Sequence, residues 1–81
     1  SFYNDSKQGY GTLYYPNSNN IMYVGYFVND LRDGFGSLYW NNGNILYKGN
    51  WMNNMAHGYG EEYDRNKNLV YKGDWIYDKH V

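Results

Sequence analysis

The chain has 81 residues, a formal net charge of −1 and no cysteine. That bounds it to one small domain and excludes disulfides, thiolate metal sites and cysteine nucleophiles. Its seven Lys and Arg are scattered singly, so the basic stripe that a nucleic-acid groove needs is missing and no nucleic-acid partner is expected.

Twelve Tyr, three Trp and three Phe stand against few aliphatics, and ten Gly against one Pro. Such a chain is expected to build short strands with many turns and not a Leu/Ile/Val core. The lack of cysteine fits a cytoplasmic protein. No apolar run approaches the roughly 20 residues of a membrane span.

In chain order, the first expected strand is GYGTLYY (9–15), followed by the turn PNSNN and a second strand, IMYVGYFV (21–28). The polar cluster NDLRD leads to GFGSLYW (34–40), and NNGN to ILYKGNWM (45–52). GYGEEYD (58–64) and LVYKGDWI (69–76) complete six strands. No sustained 3.6-residue period interrupts them, so the expectation is an all-β, single-layer antiparallel meander. Asn-rich turns separate the strands, although the many asparagines also read as a bias of composition.

The strands repeat. Tyr23, Tyr47 and Tyr71 are 24 residues apart, and Gly25, Gly49 and Gly73 keep that step. Phe27, Trp51 and Trp75 complete a Tyr-x-Gly-x-aromatic unit, and Gly9-x-Gly11, Gly34-x-Gly36 and Gly58-x-Gly60 alternate with it. Alternation along a strand puts the ring and the glycine of each unit on one face. Glycine without a Cβ lets a neighbouring ring lie over the backbone, so the triplets read as interlocking positions of adjacent hairpins.

The pattern Tyr-x-Gly-x-Trp, then His-Gly-x-Gly and a Tyr, resembles the MORN (membrane occupation and recognition nexus) repeat. Its fullest copy here is Tyr47, Gly49, Trp51, His57, Gly58, Gly60 and Tyr63. The resemblance divides 1–81 into a partial copy 1–22, copies 23–46 and 47–70, and a partial copy 71–81. Phe2 aligns with Phe27, and Gln8 and Asp33 with His57. The chain thus reads as a piece of a longer array.

The resemblance implies a non-catalytic interaction or scaffolding module, in some proteins a regulatory repeat domain attached to an enzyme. Its implied setting is cytoplasmic, with membrane or cytoskeletal association.

The aromatic rows are the expected site. Tyr23, Phe27, Trp40, Tyr47, Trp51, Tyr71 and Trp75 are expected to line a partly exposed groove that takes a protein or peptide segment. The alternative is an anionic phospholipid headgroup at Lys48 and Lys72, although such binding usually wants about four or more basic residues. A sheet that stacks RNA bases is weaker still, given the sparse basic residues.

Other chemistry has little support. Gly-x-Gly without a following helix does not make a phosphate loop. Asp30 and Asp33 lack further calcium ligands. Neither His57 nor His80 has zinc-ligand company, and His57 is better read as a turn stabiliser. Glu61, Glu62 and Asp64 read as an ordinary solvated strand, not as an acid/base pair. No cofactor, metal or catalytic residue is assigned. The cut repeats at both ends leave sheet edges that flanking chain, a partner or a second copy is expected to cover.

Overall fold

The computed structural model describes residues 7–81, so the expectation about Phe2 lies outside the described residues. Seven strands run in chain order: β1 Gly9–Tyr14, β2 Ile21–Val28, β3 Leu31–Tyr39, β4 Ile45–Met52, β5 Met55–Tyr63, β6 Leu69–Ile76 and β7 Lys79–His80. They form one sheet in which every strand pairs antiparallel with its sequence neighbours. The molecule measures 40 × 28 × 15 Å, its thinnest dimension leaving room for one sheet and its side chains. Among the described residues no helix is long and apolar enough to cross a membrane.

Two expectations need correction. The sheet has a seventh strand, short β7, and β3 and β5 begin three residues earlier than expected, at Leu31 and Met55. The reason lies in the turns. Asn29-Asp30 and Asn53-Asn54 each have both residues at positive φ, as does Tyr77-Asp78, the geometry of tight two-residue hairpins. The turn therefore occupies two residues, and LRD of the apparent loop NDLRD is already strand.

The ladder then slips between Gly25 and Phe27, and again between Gly49 and Trp51. At each slip β3 and β5 bulge, and the first glycine of the Gly-x-Gly pair sits at positive φ: Gly34 at 104° and Gly58 at 103°. The bulge restores the facing, so the second glycine falls in register. Gly11, Gly25, Gly36, Gly49, Gly60 and Gly73 pair successively across six strands as one row.

Each of these turns is tied to a residue about one repeat earlier. The Asp30 N–H donates to the Lys7 carbonyl, and its carboxylate accepts from the Lys7 N–H at 2.6 Å. Asn54 repeats both bonds with Arg32, and Asp78 with Ala56. The column Gln8, Asp33, His57 supplies the other acceptor: each takes the N–H of the first residue of the next turn, Asn29, Asn53 or Tyr77. The turn-stabilising reading of His57 holds.

The asparagines also have specific partners. The Asn20 side-chain amide donates to Asn41, and that of Asn44 to the Arg65 carbonyl. Their abundance is not composition alone.

Candidate functional site

The buried residues lie on one face of the sheet. Tyr23 is 0% exposed, Phe27 and Tyr47 2%, Trp51 6% and Trp75 7%. Each Tyr of the repeat lies over the glycine row and donates its hydroxyl three residues along its own strand. Tyr23 reaches the Tyr26 carbonyl at 3.0 Å, Tyr47 that of Asn50 at 2.8 Å and Tyr71 that of Asp74 at 2.9 Å. Trp51 and Trp75 donate their indole N–H to the carbonyls of Gly36 and Gly60. Each of these tyrosines and tryptophans thus keeps its polar tip satisfied while its ring packs on the sheet.

The rings meet edge to face in an unbroken zigzag. Phe27 touches Tyr23 at a centroid distance of 5.2 Å, Tyr23 touches Trp51 at 5.6 Å, and Trp51 touches Tyr47 at 5.0 Å. Tyr47 then meets Trp75 at 5.2 Å, and Trp75 meets Tyr71 at 5.4 Å. Such pairs contribute about 0.5–1.5 kcal/mol each beyond burial. Burial pushes the phenols of Tyr23 and Tyr47 up to about 12, aided at Tyr47 by the Asp78 carboxylate.

The structure brings six of the seven expected aromatic residues together. Trp40 stands apart just past the end of β3, where its indole donates to the Tyr63 carbonyl and the Arg65 guanidinium lies 4.9 Å from its ring. Its place in the repeat is that of Tyr15, whose hydroxyl bonds the Tyr39 carbonyl. It joins one hairpin end to the next.

The groove also differs from the expectation in exposure. The rings are mostly buried in one another, with Leu13, Leu38 and Leu46 packed against them. This face keeps a cleft of about 110 Å³ over Ala56, lined mostly by apolar groups of Leu38, Leu46, Tyr47, Trp51 and Trp75, with Glu62 and Asp78 also among its residues.

Sequence reasoning passed over Ala56, Asp78 and Arg32. The signal was available in the 24-residue column Arg32, Ala56, His80, whose members pair with Phe27, Trp51 and Trp75. Arg32 lies over the Trp51 ring at 4.3 Å and within 5.8 Å of Tyr23, and burial lowers its pKa. His80 stacks on Tyr71 at 3.9 Å and bonds Glu62 at 2.8 Å.

The opposite face is wetter. Tyr10, Tyr26, Phe35 and Tyr59 are exposed there, with Tyr10 edge-on to Tyr26. Lys48 and Lys72 both pair in register with Glu61, one from each side. Glu61 in turn accepts the Tyr63 hydroxyl, and that bond raises the Tyr63 pKa. Glu61, Glu62 and Asp64 go to three different settings, since Asp64 accepts the N–H groups of Asn66 and Asn68 in the hairpin turn. Those bonds, that of Asn68 foremost, hold its carboxyl below the usual range despite some desolvation.

No curated protein matches the chain in a sequence search. The family model of the MORN repeat matches it three times, over residues 1–20, 23–45 and 47–68. The last two matches coincide with the hairpin pairs that place Tyr23 and Tyr47 on the glycine row. The matched segments account for most of the sequence, and the chain belongs to the MORN repeat family.

Proposed function

We propose that the chain is a protein-interaction module that holds a segment of a partner on the ring-lined face of its sheet. MORN repeats are non-catalytic modules for interaction with proteins or membranes, which sets the general frame. The observation that carries the protein reading is the cleft over Ala56. It combines desolvated aromatic walls with two acidic residues, Glu62 and Asp78, in its lining, the mixture of anchor pocket and polar edge on which protein interfaces depend. The phospholipid reading is the less well supported, because Glu61 stands in register between Lys48 and Lys72.

Truncating Trp51 or Trp75 would remove the packing of the sheet itself, so the test fills the cleft instead. Peptides selected from a displayed library on the native chain should lose binding to Ala56→Trp, whose circular dichroism should remain that of a folded sheet. Undiminished binding would overturn the reading and move the site to Tyr10, Tyr26, Phe35 and Tyr59. Flotation with phosphoinositide vesicles that is lost on changing Lys48 and Lys72 together to Glu would favour the lipid instead.

A further inference from the structure

We infer that the cleft over Ala56 is a receptor for an arginine side chain of the partner, which would sit between the Tyr47 and Trp75 rings and the Asp78 carboxylate. This rests on the interaction reading above and names the chemistry of its anchor.

The argument comes from the repeat itself. Arg32 lies over Tyr23 and Trp51, with Nε donating to the Asn54 side-chain oxygen at 2.8 Å and Nη2 to the Asn54 carbonyl at 3.1 Å. One repeat on, the residues are Ala56, Tyr47, Trp75 and Asp78. The two rings keep their edge-to-face geometry, at 5.6 Å for Tyr23 with Trp51 and 5.2 Å for Tyr47 with Trp75. Asp78 repeats the turn bonds of Asn54. The frame that holds a guanidinium is therefore reproduced, while the side chain that filled it has become a methyl group.

A third member of the column supports the same reading. At position 80 the rings of the last repeat are again covered by a nitrogen-bearing side chain, His80 on Tyr71. At Ala56, where the side chain is a methyl group, the equivalent place opens as a cleft.

Its chemistry also favours a cation more than the Arg32 setting does. The Asp78 carboxylate replaces the neutral amide of Asn54, and Glu62, whose Oε1 also bonds His80, occupies the repeat position that Leu38 holds one copy earlier. Aromatic faces and carboxylates together select a planar cation that can stack and donate in the same plane. A cleft of about 110 Å³ exceeds the roughly 10–15 Å³ that one water needs on the same measure and has room for a small planar group.

The test uses the three tryptophan indole N–H signals in an NMR titration of the full chain. The probes are capped tripeptides Gly-Arg-Gly, Gly-Gln-Gly and Gly-Leu-Gly. Gly-Arg-Gly should shift Trp51 and Trp75 and leave Trp40 in place, with Gly-Gln-Gly far weaker. Asp78→Asn, which installs the side chain that Asn54 already uses in the same turn, should weaken Gly-Arg-Gly binding about fivefold to tenfold. Ala56→Arg should abolish it by placing a guanidinium there from within the chain.

Equal response to Gln and Arg, or an unchanged affinity in Asp78→Asn, would overturn the arginine assignment. If Gly-Leu-Gly alone moved Trp51 and Trp75, the arginine inference would fall and the groove would stand as an apolar site. If no probe moved either indole, both readings would fall.

Discussion

Gly25 and Gly11 are partners in the same glycine row but under different constraint. A Cβ at Gly25 would stand 2.5 Å from the Gly36 Cα, 2.5 Å from the Tyr23 hydroxyl and 2.7 Å from the Phe35 carbonyl oxygen. At Gly11 the nearest atom is a Phe27 ring carbon at 3.4 Å. Gly25→Ala should therefore lower stability by about 2–3 kcal/mol, as overpacking against fixed backbone does. Gly11→Ala should cost less than about 1 kcal/mol. Urea denaturation of the two variants checks the difference, and similar losses would contradict the role given to the row.

The rings make a second prediction at this scale. A phenol raised from about 10 to about 12 is held neutral by the fold. The resulting stability is complete below pH ~10 and is lost as pH climbs towards 12. Alkaline titration should show Tyr23 and Tyr47 ionising last, together with loss of the strand circular dichroism. Tyr47→Phe should lack one of those late steps. The pairing of ring with glycine was legible because both alternate strictly along a strand. The first glycine of each pair was not, since a bulge breaks the very period by which faces are read.

Among the elements, the hairpin turns decide the register of everything else. Where Gly43 takes a φ of 93° after WNN, Lys67 takes 71° after DRN at the equivalent place. A side chain there carries left-handed strain that glycine avoids. Lys67→Gly should raise stability by about 0.5–1 kcal/mol, seen as a higher midpoint in thermal unfolding, whereas Gly43→Lys should lower it.

The loops between repeats were the least legible part of the sequence. NDLRD has turn residues at three of its five positions, yet only Asn29 and Asp30 turn. What extends the strand through Leu31, Arg32 and Asp33 is the clamp from the next turn, contacts between residues 20 and 22 apart. The same distance hid Trp40, which alternation places beside Leu38 but which the hairpin end draws to the Tyr63 carbonyl. It also hid the cleft, since Ala56 gains meaning only when Arg32 is seen to fill the equivalent place.

For the molecule as a whole, the described contacts run between neighbouring hairpins and leave a free sheet edge. β7 pairs with β6 only at Trp75 and Ile76, so Leu69 to Gly73 offer backbone groups to a further strand. Association through that edge is expected to make the sedimentation coefficient rise with concentration. Val70→Pro, placed on the edge, should suppress the rise, and a species that stays monomeric at millimolar concentration would remove the prediction.

The register of the glycine row has a further consequence. Each copy adds two strands, and strands lie about 4.8 Å apart, so 24 residues of this pattern advance the sheet by roughly 9.6 Å. The cross-section does not change, because each new tyrosine covers only the glycines of its own step. Copy number thus sets length alone, and chains built on this plan can act as graduated rulers, with the distance between two attached partners read out in whole repeats.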